Sequence, residues 1–283
     1  MKKYLSKLAL VSSLLILLLV VLGLVRMRII QSHSWKLPGQ VHVLFMGASH
    51  VNRAVNDSLF NTAMNWASPS ERYMFTYIKL QHLLPQNPQI DTVFLELAPT
   101  DLWEDTDYKY HVVNEQSKFV KLYWPFFSWQ TLSIYKAEPM QTLSLIVSSL
   151  FDLKEMSQDE WWAHMGGYMA LNEVMDINEV KPNLEPRNGW GHSVNYKYLQ
   201  RIIEICKNSG VRLIFLETPT YHPEYYYNQA YFYRAYHKNF SDIEFVDYSQ
   251  WPIDKKYRYD PHHLNSKGAI LFTKELKERF NIE

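Results

Sequence analysis

The chain has 283 residues, of which 47% are hydrophobic, which is enough for one large domain with a substantial core. Its 29 Lys and Arg balance its 29 Asp and Glu, and the lack of a basic excess argues against a nucleic-acid partner. The single cysteine, Cys206, excludes an intrachain disulfide and a thiolate metal site. Its place in an apolar helical stripe is typical of a buried structural thiol.

The amino terminus, MKKYLSKLALVSSLLILLLVVLGLVRMR, carries three lysines before an uncharged run from Leu8 to Val25. Eighteen helical residues span about 27 Å, enough to cross a bilayer core. A cleavable signal peptide is the competing interpretation, but the run is longer than a usual signal core and no small-x-small cleavage site follows. The lysines before the run, against Arg26 and Arg28 after it, favour a cytoplasmic amino terminus. We therefore predict that residues 1–28 are a cytoplasmic tip and transmembrane anchor.

After a predicted linker over residues 29–40, strand-like and helix-like segments alternate. Short apolar runs predict buried strands over residues 41–46, 92–99, 211–219 and 243–249. Amphipathic segments predict helices over residues 68–88, 195–210 and 266–280. Ser68 or Ser70 is the expected cap of the first of these helices. This alternation predicts a parallel sheet covered on both faces, and such sheets bind ligands beyond the carboxyl ends of their strands.

Residues 103–192 do not follow the alternation, and we interpret them as a helical, aromatic-rich insertion in a domain that covers residues 41–283. Within it, residues 140–151 look helical but are too short and too polar to cross a membrane. This segment could be an ordinary packed helix or one lying at the membrane surface. We expect the packed helix, because the segment lacks a basic face. The tryptophans of the insertion suit either sugar stacking above a site or plain core packing: Trp124, Trp129, Trp161 and Trp162.

The stretch VHVLFMGASHVNRAVND places Ser49 at the end of the first predicted strand, after a Gly-Ala turn. A serine hydroxyl becomes a good nucleophile only when a base takes its proton. Near the other end of the chain, RYDPHHLNSKG offers Asp260 and His263 at D-x-x-H spacing. A turn there can fold the carboxylate onto the imidazole, whose other nitrogen would reach Ser49 across the carboxyl edge of the sheet.

Plainer interpretations of these residues stay open. Ser49 and Asp260 could each be a helix cap, and D-x-x-H arises by chance in a chain with 11 histidines. His262 is a rival base, although the spacing favours His263. His50 is expected to point away from Ser49, towards the substrate side or the surface. No histidine–carboxylate cluster has convincing metal-ligand spacing, so we predict no metal site.

Taken together, these motifs resemble those of the SGNH (GDSL-type) hydrolase superfamily. The resemblance covers roughly residues 41–102 and 195–280 and leaves the insertion uncovered. It implies a three-layer α/β/α fold with a mostly parallel central sheet, a serine–histidine–aspartate triad, and no metal or organic cofactor. An amino-terminal anchor before such a domain is similar to cell-envelope acyl-transfer proteins, among them alginate O-acetylation and teichoic-acid D-alanylation accessory proteins. Some of those work beside a multi-spanning membrane acyltransferase.

The sequence departs from the superfamily pattern around the oxyanion hole. The block that is usually Gly-Asp-Ser is Gly47-Ala48-Ser49 here, so the aspartate is lost. The resemblance puts Ala67 where a glycine usually donates its N–H, and Thr100 where an asparagine is expected. Together with the N–H of Ser49, these residues form the predicted oxyanion hole. The threonine hydroxyl has a shorter reach than an asparagine amide, which weakens the expected stabilisation.

Two classes of function follow from this resemblance. The first is a membrane-anchored, extracytoplasmic serine acyl-transfer enzyme, an O-acetyl- or O-acyltransferase acting on a cell-envelope polysaccharide or glycolipid. A simple carbohydrate esterase fits the same residues, because transfer to a sugar and transfer to water differ only in the acceptor. The second is a non-catalytic partner or assembly module of a membrane acyltransferase or envelope complex, which the weakened oxyanion blocks would fit.

The expected partners are an envelope glycan or acyl donor, the membrane, and an integral-membrane acyltransferase. The expected location is the cytoplasmic (inner) membrane, as a single-pass protein whose soluble domain lies in the periplasm or outside the cell.

Overall fold

A computed structural model describes residues 1–102, 116–152, 157–174, 193–221 and 229–283. The chain divides into two compact units, Met1–Ser34 with Lys109–Trp161, and Trp35–Tyr108 with Trp162–Glu283. The predicted insertion over residues 103–192 lies partly outside the described residues, since residues 103–115, 153–156 and 175–192 are not among them.

The larger unit contains a five-stranded sheet whose strands are β1 (Val43–Met46), β2 (Ala63–Asn65), β3 (Thr92–Glu96), β4 (Arg212–Glu217) and β5 (Glu244–Asp247). The strand order is β2-β1-β3-β4-β5, and every neighbouring pair is parallel. The predicted parallel sheet is therefore confirmed, with each predicted strand present and shorter. Strand β2 has no counterpart in the sequence prediction, because three residues are too few to show a periodicity.

The α-helices of the described residues are α1 (Lys2–Ser32), α2 (Ser49–Ala54), α3 (Tyr73–Leu83), α4 (Ser117–Tyr123), α5 (Trp129–Ile134), α6 (Pro139–Leu150), α7 (Gln158–Met165), α8 (Val194–Asn208), α9 (Gln229–Asn239) and α10 (Ser266–Phe280). Helices α8 and α10 match their predicted ranges closely. Each begins with a side-chain cap, Ser193 accepting from the N–H of Tyr196 and Asn265 accepting from the N–H of Gly268.

Helices cover both faces of the sheet, which makes the larger unit a three-layer α/β/α structure, as predicted. On one face, α2 and α10 pack together over a core that includes Phe45, Phe94 and Phe272. Burial of each such side chain contributes about 1.5–3 kcal/mol. On the other face, α3 packs against α8, whose Cys206 is buried. Burial raises the pKa of the Cys206 thiol to about 12, consistent with the predicted structural role.

Helix α3 begins later than predicted, and neither predicted serine caps it. Its N-cap is Arg72, which makes no side-chain cap hydrogen bond. The backbone N–H of Ser68 donates instead to the carbonyl of Gly47, 3.1 Å away, and Ser70 adopts a left-handed φ of 65°. The residues before α3 are thus held against the end of β1, where a helix could not form.

Helix α1 extends to Ser32 and so continues into the segment predicted as a linker. Residues Lys3–Ser32 are long and apolar enough to cross a membrane, and the large apolar side chains over most of this stretch are exposed. In the same unit, α1 contacts α6 and the short 3₁₀ turn Trp124–Phe126.

A fully buried ion pair joins three segments of the larger unit. The ammonium group of Lys79, on α3, pairs with Glu71 and also donates to the carbonyls of Trp66 and Met165. The second oxygen of Glu71 accepts from the hydroxyl of Thr76 at 2.8 Å. Burial lowers the pKa of Lys79, and the adjacent Glu71 charge opposes that shift. The pair therefore depends on both partners being present.

We expect Lys79→Met to lower the free energy of unfolding by about 3–5 kcal/mol, because it leaves the Glu71 carboxylate buried without its cation. Urea unfolding of the full chain in detergent measures this change. The double variant Lys79→Met/Glu71→Gln should be more stable than Lys79→Met alone, since no uncompensated charge remains. If the double variant is less stable than either single variant, the interpretation of the pair is wrong.

Candidate active site

A tight turn after β1 carries Ser49 to the carboxyl edge of the sheet. Gly47 has a φ of 146°, a backbone conformation that side-chain-bearing residues rarely adopt. A Cβ atom at position 47 would also collide with the Cβ of Glu96 at the end of β3. Only glycine allows this close approach of the turn to β3. Ser49 follows as the first residue of α2.

The side chain of Glu96 holds this turn through two hydrogen bonds to its backbone. Its Oε2 atom accepts hydrogen bonds from the backbone N–H groups of Ala48 at 2.8 Å and Val51 at 3.0 Å, on either side of Ser49. The sequence prediction did not single out Glu96. A signal was available, because β3 and β4 are apolar runs that both end in Leu-Glu, at Glu96 and Glu217.

These two strand-end carboxyl groups are buried close to other acids. Burial, together with the negative charge of Asp101, raises the pKa of Glu96 to about 8, although its two N–H donors oppose the shift. Burial and the charges of Asp247, Asp101 and Glu96 raise the pKa of Glu217 well above its ordinary value. With a pKa of about 8, Glu96 retains its proton in most molecules at neutral pH, and the pKa of Glu217 is shifted in the same direction.

The structure brings together the three predicted triad residues from opposite ends of the chain. His263 Nε2 lies 2.9 Å from Ser49 Oγ, and His263 Nδ1 lies 2.7 Å from Asp260 Oδ2. The other oxygen of Asp260 accepts from the backbone N–H groups of His262 and His263, at 2.7 and 2.8 Å. These bonds close the turn that folds the carboxylate onto the imidazole.

The hydrogen bonds determine where the protons lie. A carboxylate can only accept, so in the neutral ring Nδ1 of His263 carries the proton and Nε2 accepts the hydroxyl proton of Ser49. Burial of Asp260 tends to raise its pKa. The hydrogen bonds and charge of His263, with the N–H of His262, outweigh that effect and hold the pKa of Asp260 below its usual value. Asp260 is therefore an anion across the neutral range.

His50 lies against this arrangement, so the expectation that it points away from the site is wrong. Its ring meets the ring of His263 edge to face, with centroids 5.3 Å apart, and stacks on His262 at 6.2 Å. Burial, followed by the charges of His263 and His262, lowers the pKa of His50 to about 3. A neutral His50 adds no competing cation beside the imidazole of His263.

The predicted oxyanion donors have different surroundings. Ser49 is the first residue of α2, so its N–H has no intrahelical acceptor, and it bonds no other group in the part of the chain that the structure describes. Ala67 is buried, and its N–H donates to Asn65 Oδ1 at 2.9 Å. Thr100 is half-buried in the 3₁₀ turn Pro99–Leu102 after β3. The oxyanion role of all three stays a prediction, and Ala67 would have to release Asn65 to perform it.

A segment that forms neither helix nor strand, residues 166–171, connects the two halves of the site. Its Gly167 N–H donates to the carbonyl of Ala67 at 3.1 Å, and its Met169 N–H donates to the carbonyl of Asn52, on α2, at 3.1 Å. Its Leu171 carbonyl accepts from the N–H of Ser266, at the start of α10, at 2.7 Å. The segment therefore ties the helix that begins at Ser49 to the helix that follows His263.

The fold and this arrangement define a class, that of three-layer α/β proteins with a serine–histidine–aspartate arrangement at the carboxyl edge of a parallel sheet. In the residues that the structure describes, no group of three or more His, Cys, Asp or Glu side chains is arranged to hold a metal ion.

A protein-family model matches residues 161–283, which is less than half of the chain and does not define a family. No curated protein matches the sequence. Among solved structures, a Bacteroides fragilis NCTC 9343 protein provisionally described as an acylhydrolase is similar at 12% identity, over 84% of this chain and 86% of that chain. Its TM-score of 0.38 is too low for the likeness to carry an argument.

The raised pKa of Glu96 makes stability depend on pH. Between about pH 4.5 and pH 8 the folded protein keeps a proton on Glu96 that the unfolded chain releases, so the free energy of unfolding falls as pH rises through this window. Glutamine stays neutral throughout, and we expect Glu96→Gln to lose less stability than the wild type over the same range. Urea unfolding at a series of pH values measures this difference. Equal slopes for the two proteins would contradict the assignment.

Proposed function

We propose that this protein is a membrane-anchored serine acyl-transfer enzyme of the SGNH type, an O-acyltransferase that acts on a cell-envelope polysaccharide or glycolipid. The observation that carries the proposal is the hydrogen-bonded chain from Asp260 through His263 to Ser49. This chain supplies a nucleophile, a base and a group that orients the base, which are the parts that covalent acyl transfer requires.

In the first half-reaction, Ser49 Oγ attacks the carbonyl carbon of the acyl donor while His263 Nε2 takes the hydroxyl proton. Asp260 stabilises the imidazolium that forms. The negative charge on the carbonyl oxygen is held by the N–H of Ser49, with Thr100 and, after local adjustment, Ala67. The bond to the leaving group then breaks, His263 returns the proton to that group, and an acyl ester remains on Ser49.

In the second half-reaction, an acceptor hydroxyl attacks the acyl ester. His263 Nε2 removes the acceptor's proton, the new ester bond forms, and the bond to Ser49 Oγ breaks as the proton returns to Ser49. The acceptor decides the outcome, since a sugar hydroxyl gives transfer and water gives hydrolysis. We favour a sugar acceptor because an anchor helix would keep the site beside membrane-bound acyl donors, with an integral-membrane acyltransferase as the proposed source of the acyl group.

One observation favours a second function, that of a non-catalytic module in an envelope complex. The N–H of Ala67, a predicted oxyanion donor, is already occupied by Asn65. Loss of one oxyanion donor lowers rates by about 100- to 1000-fold, so a site with one secure backbone donor would be slow. In that case the fold would serve to bind a partner, and Ser49 would be chemically inert.

Labelling by a serine-directed fluorophosphonate separates these functions. We expect the full-length protein in detergent to be labelled at Ser49, as located by peptide mass spectrometry. Ser49→Ala should abolish this adduct, and His263→Ala should slow labelling at least ~100-fold because the hydroxyl loses its base.

The matched control for the labelling is Ser58→Ala, which removes an exposed serine outside the triad and should leave the labelling rate unchanged. An unlabelled Ser49 in a folded protein would contradict the enzymatic proposal and support the module. Equal labelling of wild type and His263→Ala would show that His263 is not the base.

The choice of acceptor is tested with an activated acetyl ester such as 4-nitrophenyl acetate. We expect an acetylated Ser49 intermediate whose acetyl group passes to an added oligosaccharide, giving a sugar ester detectable by mass spectrometry. Release of nitrophenolate should rise with oligosaccharide concentration in the wild type and stay at background in Ser49→Ala. If acetate is the only product at every oligosaccharide concentration, the protein is an esterase.

A further inference from the structure

Helix α6, in the smaller unit, buries polar side chains while several of its apolar side chains are exposed. The side chains of Thr142 and Ser149, seven residues apart and so on one face, are both buried. Ser149 accepts a hydrogen bond from the indole N–H of Trp124 at 2.9 Å. Leu150 is buried as well, so the side of the helix that packs into its own unit carries both polar and apolar residues.

The opposite face of α6 is apolar and faces outwards. Met140 is 74% exposed and Leu143 is 52% exposed, and Phe151, directly after the helix, is 64% exposed. With the half-exposed Val147 they are spaced by three, four and four residues, which places all four side chains on one stripe. We call Met140, Leu143, Val147 and Phe151 the outer stripe. Helix α6 packs on α1 and α4, in agreement with the expected packed helix, and the outer stripe is the part of it that stays exposed.

The carboxyl end of α6, where the outer stripe ends at Phe151, packs against the apolar helix α1. Gly23 of α1 faces the side chains of Leu150, at the end of α6, and Trp124. A Cβ atom added at Gly23 would lie 3.9 Å from Leu150 and 4.0 Å from Trp124. One turn further along α1, Arg26 donates to the carbonyl of Asp152 at 2.7 Å. Gly23 belongs to the uncharged run Leu8–Val25, and Arg26 is the first charge after it. The carboxyl end of α6 is therefore held at the level where the apolar run ends.

The length of the apolar run makes this level the edge of a bilayer. Eighteen helical residues span about 27 Å, close to the thickness of a hydrocarbon core. If α1 crosses the membrane, the whole apolar run is therefore needed to span that core. Gly23 would then lie just inside the core and Arg26 at the headgroups. Tryptophan, as at Trp124, is enriched at this depth.

We propose that the outer stripe of α6 contacts the lipid bilayer, so that the helix lies in the membrane interface beside α1. The polar side chains that flank the stripe, Gln141, Ser144 and Ser148, are exposed and would face the headgroups and water. This inference rests on the membrane anchoring by α1 and is independent of the chemistry at Ser49.

The bilayer is favoured over a second protein because Leu150, next in sequence to Phe151 of the stripe, packs against α1 at Gly23, where the neighbouring Leu24 and Val25 are exposed. Lipid that surrounds α1 at this level would therefore also reach Phe151. A partner protein would be needed only if the stripe stood away from the apolar run.

The test uses the full-length protein, alone, in vesicles of phosphatidylcholine and phosphatidylglycerol. A single cysteine at position 143, in a Cys206→Ala background, carries a nitroxide whose collision rates with oxygen and with a water-soluble nickel chelate are measured by electron paramagnetic resonance. We expect Leu143→Cys to give an oxygen-to-nickel accessibility ratio several-fold higher than Gln141→Cys, the matched position two residues away. Met140→Cys should behave as Leu143→Cys does.

A label at Leu14, in the middle of α1, separates the outcomes. Lipid exposure at positions 14 and 143 but not at 141 supports the inference. Lipid exposure at position 14 with aqueous values at 143 and 140 overturns it while leaving the anchor intact, and makes a second protein the occupant of the stripe. If the oxygen-to-nickel ratio at position 14 is that of a water-exposed label, α1 does not cross the membrane, and the inference about α6 is overturned with it.

Discussion

The buried carboxyl group of Glu96 holds the backbone on both sides of Ser49, and this contact fixes the position of the serine at the edge of the sheet. Glu96 occupies the space where a side chain at position 47 would stand, so the turn needs glycine. Asp260 performs the matching task at the other end of the chain, where it accepts two backbone N–H groups and the imidazole. Each half of the site is thus shaped by one carboxyl group that accepts paired backbone donors, which constrains the backbone more than a side-chain contact alone would.

Buried polar groups also position the segments around the carboxyl edge of the sheet, where Ser49 lies. The buried pair of Lys79 and Glu71 joins the residues before α3 to the end of α7 through carbonyl acceptors. Directly after α7, residues 166–171 bridge α2 and the start of α10. The parallel sheet provides the frame, while these buried hydrogen bonds fix the residues that no strand or long helix holds. A buried polar network of this kind is sensitive to the loss of a single partner.

Hydrophobic periodicity predicts the sheet and its long helices, and short-range turn chemistry predicts that Asp260 folds onto His263. The approach of His263 to Ser49 spans 214 residues, and its prediction rests on the chemical need of a serine for a base and on the resemblance of the motifs. The sequence does not predict β2, whose three residues show no period, or the late start of α3, where Ser68 bonds to Gly47 across the sheet edge. Glu96 and the surroundings of Ala67 depend on neighbours distant in sequence. The outward apolar face of α6 is also not predictable, because periodicity identifies a face without telling which medium it meets.

Ser49 and His263 are separated by 214 residues, so the contact between them depends on almost the whole length of the chain. During synthesis, position 263 is added long after position 49. Until α10 has docked on α2, the imidazole of His263 has no fixed place beside the hydroxyl of Ser49. The arrangement of the three side chains is therefore a property of the completed fold, and a fragment that ends before residue 260 would lack it.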